Sequence, residues 1–245
     1  MSGLCEALGC GRGDVAALAG AGGKTTLAYA LCADARAAGL RAVVTATTHM
    51  GEPPPGAGPL VLWDDGRGRP ALAEALAAHG AASVSGPPAS GRRLAGLPPA
   101  GIPELLGLAD LVIAQADGAR GRPFKLPAAH EPELPVGATL VVVCAGLDAL
   151  GAPLDEEHVH RLPEVLAACG RRRGELLDEA ALAAALAHPA GYAGRIPPGV
   201  RTALFLNRAE GGALAAAERL ARALAGVFGR VLAGSARLGE VRRLA

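Results

Sequence analysis

The strongest constraint on the fold lies between residues 14 and 48. Asp14 to Ala19 is a short apolar run that ends in glycines and reads as a buried strand. Thr26 to Ala38 carries apolar residues at helical spacing and stops at Gly39, a natural C-terminal cap. Arg41 to Thr48 is rich in β-branched residues and reads as the next strand. Strand, Gly-rich turn, helix and strand form a βαβ unit, whose right-handed crossover calls for a parallel sheet.

The alternation continues along the chain. Leu60 to Trp63, Leu111 to Ala116, Ala138 to Ala145, Thr202 to Leu206 and Arg230 to Ala233 read as strands, the last of these closing the series. Pro70 to His79, residues 163–169 and 178–187, and Ala213 to Leu224 read as helices. Alternating strands and helices predict an α/β fold with a doubly wound sheet. The Pro/Gly-rich stretches 51–59 and 86–103 read as loop insertions in one domain covering residues 1–245 rather than as linkers between two domains. Only six residues are aromatic, so Ala, Leu and Val must build the core.

The turn itself is Gly20-Ala21-Gly22-Gly23-Lys24-Thr25-Thr26. Glycines let successive backbone N–H groups face a phosphate, and the helix N-terminus adds a dipole that favours anions. Lys24 is then placed to reach the terminal phosphates and Thr25 to hold Mg²⁺. The chain has 22 arginines and only two lysines, Lys24 and Lys125. A compact ammonium fits such a turn and a planar guanidinium does not. The longer phosphate-loop pattern places a glycine where this chain has Leu18, so the loop is the shorter G-x-x-G-K-T form. A dinucleotide fingerprint fails at its third glycine, which is Thr25. The expectation is a mostly parallel sheet of the P-loop NTPase type, with GTP or ATP and Mg²⁺ as ligands.

A metal-bound phosphate needs a carboxylate at the end of a neighbouring strand, and Asp117 follows the run Leu111 to Ala116. Lys24 and Asp117 are thus the expected catalytic pair, with Thr25 and Asp117 the expected Mg²⁺ ligands. Gln115 can position water or a second ligand. Thr45, Thr47, Thr48 and His49 end the second strand on the same rim. Two readings stay open there: Thr48 and His49 as metal or base groups, or plain β-propensity and capping. Asn207-Arg208-Ala209-Glu210 follows a strand and is similar to the guanine-reading N-K-x-D element, and Ser235-Ala236-Arg237 follows the last expected strand. This favours guanine slightly, with Asn207 and Glu210 at the base. Arg120, Arg122, Lys125 and His130 are placed to grip a second anion, or else belong to a switch-like loop. His158 and His160 match no strong ligand spacing and read as an exposed polar loop.

Net charge is +1, which gives no electrostatic footprint for nucleic acid or an anionic membrane. Arg171-Arg172-Arg173 reads as a solvated turn. Five cysteines without a C-x-x-C pair argue against a disulfide framework. Cys5 and Cys10 lie near a terminus expected to be mobile. No signal peptide and no membrane span are apparent, so a cytoplasmic location is expected.

Several stretches together resemble one family. They are residues 20–26, Ala46-Thr47-Thr48-His49, residues 116–127, Ala129-His130-Glu131-Pro132, residues 145–151, His160-Arg161 and residues 206–210. In these the chain resembles the selenium-dependent molybdenum hydroxylase accessory family known as YqeC. The resemblance implies a P-loop NTPase-like protein that helps mature molybdenum hydroxylases. Its implied partner is such a hydroxylase, or a molybdenum or selenium cofactor species. One position departs: the family pattern is similar to Glu-Ala-Asp-Gly, whereas this chain has Gln115-Ala116-Asp117-Gly118. Two further functions stay open, a small-molecule ligase or kinase and a non-enzymatic nucleotide-gated binding module.

Overall fold

A computed structural model describes residues 3–245 except 65, 90 and 92. Residues 90 and 92 belong to the expected loop 86–103 and lie outside the described residues.

The strands are β1 (Asp14–Gly20), β2 (Ala42–Ala46), β3 (Met50–Gly51), β4 (Leu60–Leu62), β5 (Ala81–Ser85), β6 (Arg93–Leu94), β7 (Leu111–Gln115), β8 (Phe124–Lys125), β9 (Leu140–Gly146), β10 (Val159–His160), β11 (Arg201–Asn207), β12 (Arg230–Ser235) and β13 (Glu240–Arg243). The helices are α1 (Leu4–Leu8), α2 (Lys24–Ala37), α3 (Gly68–His79), α4 (Leu162–Cys169), α5 (Glu179–Ala187) and α6 (Ala213–Ala223). Nine strands form one sheet in the order β13-β12-β11-β9-β1-β7-β2-β5-β4, parallel except for the edge pair β12–β13. Two small pairs, β3–β6 and β8–β10, stand outside it.

Alternate residues of the central strands explain the two-sided winding. Ala16 and Leu18 of β1 share a core with Leu27 and Leu31 of α2 and with Leu4 and Leu8 of α1. On the opposite face, Ala17 and Ala19 join the cluster built on α4, α5 and α6. Val15, Val43 and Val112 turn to that same opposite face farther along the sheet, where Leu72 and Leu76 of α3 cover them. The doubly wound α/β reading therefore holds. Strands buried on both faces read as continuous apolar runs, which is how β1, β7, β9 and β11 are recognisable.

Five details differ from expectation. The N-terminus forms α1, and Leu4, Cys5, Ala7 and Leu8 are buried there. The helix is fixed by Arg230 Nη1 donating to Ala7 O at 2.9 Å and by Cys5 N donating to Asp34 Oδ2 at 2.8 Å. The strand expected over 41–48 stops at Ala46, after which the Thr47 hydroxyl donates sideways to Glu133 O at 2.7 Å. Ala81–Ser85 is a further strand, and Arg230–Ser235 is followed by the antiparallel β13. The Pro/Gly stretch 86–103 carries β6 and the start of a 3-10 helix over Pro99–Gly107.

All five cysteines are free thiols. Arg171 and Arg173 lie on an exposed turn, paired with Asp178 and Glu156. Among the described residues no helix is long and apolar enough to cross a membrane.

Candidate phosphate-loop site

β1 lies between β7 and β9, so the turn after Gly20 emerges beside the ends of both neighbours. Gly20, Gly22 and Gly23 take φ values of +93°, +77° and +116°. Side chains could not be added there: a Cβ at Gly20 would collide with the Cys144 carbonyl, one at Gly22 with Gly146, and one at Gly23 with the Asn207 amide. Close approach and left-handed backbone together make these three positions glycine. α2 begins at Lys24, so the first N–H groups of the helix have no intrahelical acceptor and open onto the loop.

The two lysines of the chain converge on one carboxylate. Lys24 Nζ lies 3.0 Å from Asp117 Oδ1, and Lys125 Nζ lies 3.0 Å from Asp117 Oδ2. Lys24 Nζ also donates to Gly20 O at 2.5 Å. Asp117 Oδ2 accepts from Gly20 N at 3.1 Å and from the Tyr192 hydroxyl at 2.6 Å. Asp117 Oδ1, although close to Lys24, accepts no aligned hydrogen bond, so that contact is a charge pair and leaves the oxygen's lone pairs open. Burial, followed by the Asp117 charge and hydrogen bond, holds the Tyr192 hydroxyl well above its ordinary pKa.

The network extends outward from Lys125. Its ammonium donates to Gly118 O at 2.7 Å and to Glu131 Oε2 at 2.9 Å. Arg161 grips Glu131 bidentately, Nε to Oε2 at 2.9 Å and Nη2 to Oε1 at 3.0 Å. Charges alternate from the loop lysine through Asp117, Lys125 and Glu131 to Arg161. Burial pushes the Glu131 carboxyl up, but the Arg161 fork, the Lys125 ammonium and the Ala128 amide outweigh it and bring the pKa to about 2. A depressed folded-state value means stability that is present above the ordinary 4.5 and is lost as pH falls through about 2. Acid titration of the unfolding free energy is expected to fall across that interval, and to fall less steeply in Glu131→Gln. Identical acid profiles for the two proteins would remove the Glu131 assignment.

Two hollows flank the loop. The first, of about 500 Å³, is bordered by Gly22 to Thr25, the 117–122 segment and Gln115 on one side, and by His49, Arg93 and Arg161 on the other. The second, of about 330 Å³, is bordered by Gly23, Thr26, Asn207, Glu210, Ser235 and Arg237, with Arg208 reaching both. Asn207 ties the loop to the β12 end, donating from Nδ2 to Gly22 O at 2.7 Å and accepting from Ala236 N at Oδ1 at 2.9 Å.

The structure thus gathers most of the expected residues around the loop. Gly22, Gly23, Lys24, Thr25, His49, Gln115, Asp117, Arg120 and Arg122 border the first hollow, and Thr26, Asn207 and Glu210 the second. Thr25 Oγ1 donates to Gln115 Oε1 at 2.9 Å. Thr48 borders neither hollow, and its hydroxyl, that of Thr45 and the Gln115 Nε2 are buried without a hydrogen-bond partner. Lys125 is not poised for a second anion; it is fully buried between Asp117 and Glu131. His130 is exposed and lies off both hollows. Arg93 and Tyr192 have roles that the sequence does not signal, and Glu131 and Arg161 are legible only as members of the family-matching stretches 129–132 and 160–161. His158 Nδ1 sits 2.7 Å from Asp155 Oδ1, whereas His160 faces the first hollow. Among the described residues no group of three or more His, Cys, Asp or Glu side chains is arranged to hold a metal.

The parallel sheet and the glycine turn at the helix start define a doubly wound α/β protein of the P-loop type. The family profile described as YqeC protein matches residues 16–163. A protein of Escherichia coli (strain K12), named Uncharacterized protein YqeC, is 32% identical over 207 residues, which is 80% of this chain and 77% of that protein. The chain belongs to the YqeC family. The profile match takes in the loop, Asp117, Lys125, Glu131 and Arg161, while the Asn207 corner lies beyond it.

Proposed function

We propose that this protein binds a nucleoside triphosphate with Mg²⁺ on the 20–26 loop, hydrolyses it slowly, and uses that cycle in the maturation of selenium-dependent molybdenum hydroxylases. One observation carries the nucleotide reading: a buried lysine and three side-chain-intolerant glycines at a helix N-terminus, with a hollow on either side. Phosphates over Gly22 to Thr25 leave the second hollow for the base and the first for the terminal phosphate.

The donors suit Mg²⁺, a hard cation that takes oxygen ligands. Thr25 would supply a hydroxyl, and Asp117 Oδ1 accepts no hydrogen bond at present. Mg²⁺, when bound, would neutralise charge on the phosphate oxygens. Lys24 would then turn from Gly20 O and Asp117 toward the phosphates, while Lys125, 3.0 Å from Asp117 Oδ2, holds that carboxylate in place. Gln115, already bonded to Thr25, orients that hydroxyl. Being neutral, Gln115 is a weaker base than the family's glutamate, which accords with slow turnover.

Guanine is favoured over adenine because a carboxylate, Glu210, borders the base hollow and can accept from the N1 and N2 hydrogens of guanine. Competition binding is expected to rank GTP above ATP. Glu210→Ala should shrink that preference by about 1–3 kcal/mol, the penalty for losing a charged hydrogen-bond acceptor. Tight ATP binding with no GTP binding would overturn the base assignment. The maturation role rests on family resemblance. It predicts that deleting the gene lowers the activity of molybdenum hydroxylases in the same cell, and undiminished hydroxylase activity would refute it.

A further inference from the structure

Among the described residues, three other than glycine have positive φ: Arg120 at 49°, Arg161 at 62° and Arg208 at 60°. All three border the first hollow. A side chain in left-handed backbone is uncommon and costs free energy, and such positions gather at ligand sites. Three arginines so placed around one cavity call for a common cause.

The charge balance of the hollow points the same way. Lys24, Arg93, Arg120, Arg122, Arg161 and Arg208 face it, against the carboxylates of Asp117 and Glu131. Those two are already engaged by the buried lysines and by Arg161. Among the described residues the side chains of Arg93 and Arg120 have no acceptor, and Arg161 uses two of its five donors on Glu131. Burial, with the charges of Lys125, Arg161 and Arg120, holds the pKa of the His160 ring below its ordinary value. Lys24 and the α2 N-terminus already serve the nucleotide's phosphates, and a volume of about 500 Å³ is ample for a second small molecule.

We propose that Arg120 and Arg161 form the jaws of a second anion site, which takes a compact phosphate or similar tetrahedral oxyanion beside the nucleotide's terminal phosphate. Arg208 borders both hollows and pairs with Asp148, so it stands on the nucleotide side. Arg161 is the fixed jaw, braced by Glu131 and through Lys125 and Asp117 by the loop lysine. Arg120 is the free jaw, on the exposed turn after Gly118. The site rests on the nucleotide reading above only in its neighbour, since the clamp itself needs no base.

Equilibrium dialysis of labelled inorganic phosphate tests this, using the full chain with and without a bound non-hydrolysable GTP analogue and Mg²⁺. The protein carrying the analogue is expected to retain one phosphate. Arg120→Gly should weaken phosphate by about tenfold or more while changing analogue affinity by less than about threefold. Its melting temperature should not fall, because glycine adopts this backbone freely. Arg161→Lys keeps the charge and loses the fork, and is expected to weaken phosphate by several-fold. A parallel dialysis with glycerol phosphate separates a free oxyanion from a phosphate ester by which binds tighter, and either result supports the clamp. Phosphate that only displaces the analogue, or that binds both variants as well as the parent, would overturn it. So would a loss of analogue affinity in step with phosphate, since the arginines would then serve the nucleotide itself. Phosphate bound through Arg120 by a protein that takes no nucleotide would keep the clamp and sink the nucleotide reading.

Discussion

Asp117→Ala is expected to destabilise the protein by about 3–5 kcal/mol, the range for breaking a buried ion pair from one side. The carboxylate is wholly buried and lies between the ammonium groups of Lys24 and Lys125, each 3.0 Å away. Its loss also strands the Tyr192 hydroxyl and the Gly20 amide. The two lysines would respond differently. Lys24 borders the hollow and can turn into water, so little of the cost falls there. The Lys125 side chain is wholly buried and keeps only Glu131 and Gly118 O, so the penalty concentrates on it. Adding Lys125→Met to the Asp117→Ala protein is therefore expected to restore part of the loss, because an apolar chain of similar length replaces a stranded charge. Denaturant midpoints of the single and double variants check both statements. A single variant with the parent's midpoint would show that the carboxylate does not anchor the strand ends.

Lys24→Ala is expected to remove about 2–5 kcal/mol of nucleoside triphosphate affinity, the range for truncating one partner of a desolvated charge contact. That corresponds to roughly thirty-fold to several-thousand-fold in dissociation constant. The fold should survive, since Asp117 keeps Lys125, Tyr192 and the Gly20 amide. Stability and binding thus separate at this residue and coincide at Asp117, and fluorescence titration beside a melting scan reads both. Lys24→Arg is expected to bind more weakly than the parent, because a broad planar guanidinium does not replace the compact ammonium that the glycine turn holds. Unchanged affinity in Lys24→Ala would mean that the lysine only braces Asp117.

The legible part of the molecule follows from local chemistry. β1, the glycine turn and α2 are readable because three constraints coincide within a few residues: an apolar run, glycines where the backbone turns left-handed, and a helix-period pattern after Lys24. β5 is harder, because Ala81-Ala82-Ser83-Val84-Ser85 is a row of small residues, and only its place between β2 and β4 makes it a strand. β13 pairs antiparallel at an edge and is a mostly exposed, charged segment, so no apolar run announces it. α1 is too short for a periodic signal and is defined by what it packs against.

The site shows the same division. Lys24, Thr25, Asp117, Asn207 and Glu210 are singled out by motif, since each lies at or just past the C-terminal end of a recognisable strand. The partnership of Lys125 with Asp117 is not, because it depends on β8 bringing residue 125 back beneath the loop. Lysine scarcity singles out both residues without saying that they meet. The fixing of Arg161 by Glu131 joins positions 30 apart, and the left-handed backbone at Arg120, Arg161 and Arg208 has no sequence signature. Arg93 enters from β6, inside a stretch whose prolines and glycines speak only of loop.

The loop's amide groups offer the most direct test of the central claim. Backbone resonances of Gly22, Gly23, Lys24 and Thr25, followed by NMR while Mg²⁺ and GTP are added, should shift together and saturate. The same resonances should stay still in Lys24→Ala at equal ligand concentration. Shifts confined to other parts of the chain, with these four amides unmoved at saturating nucleotide, would contradict the account.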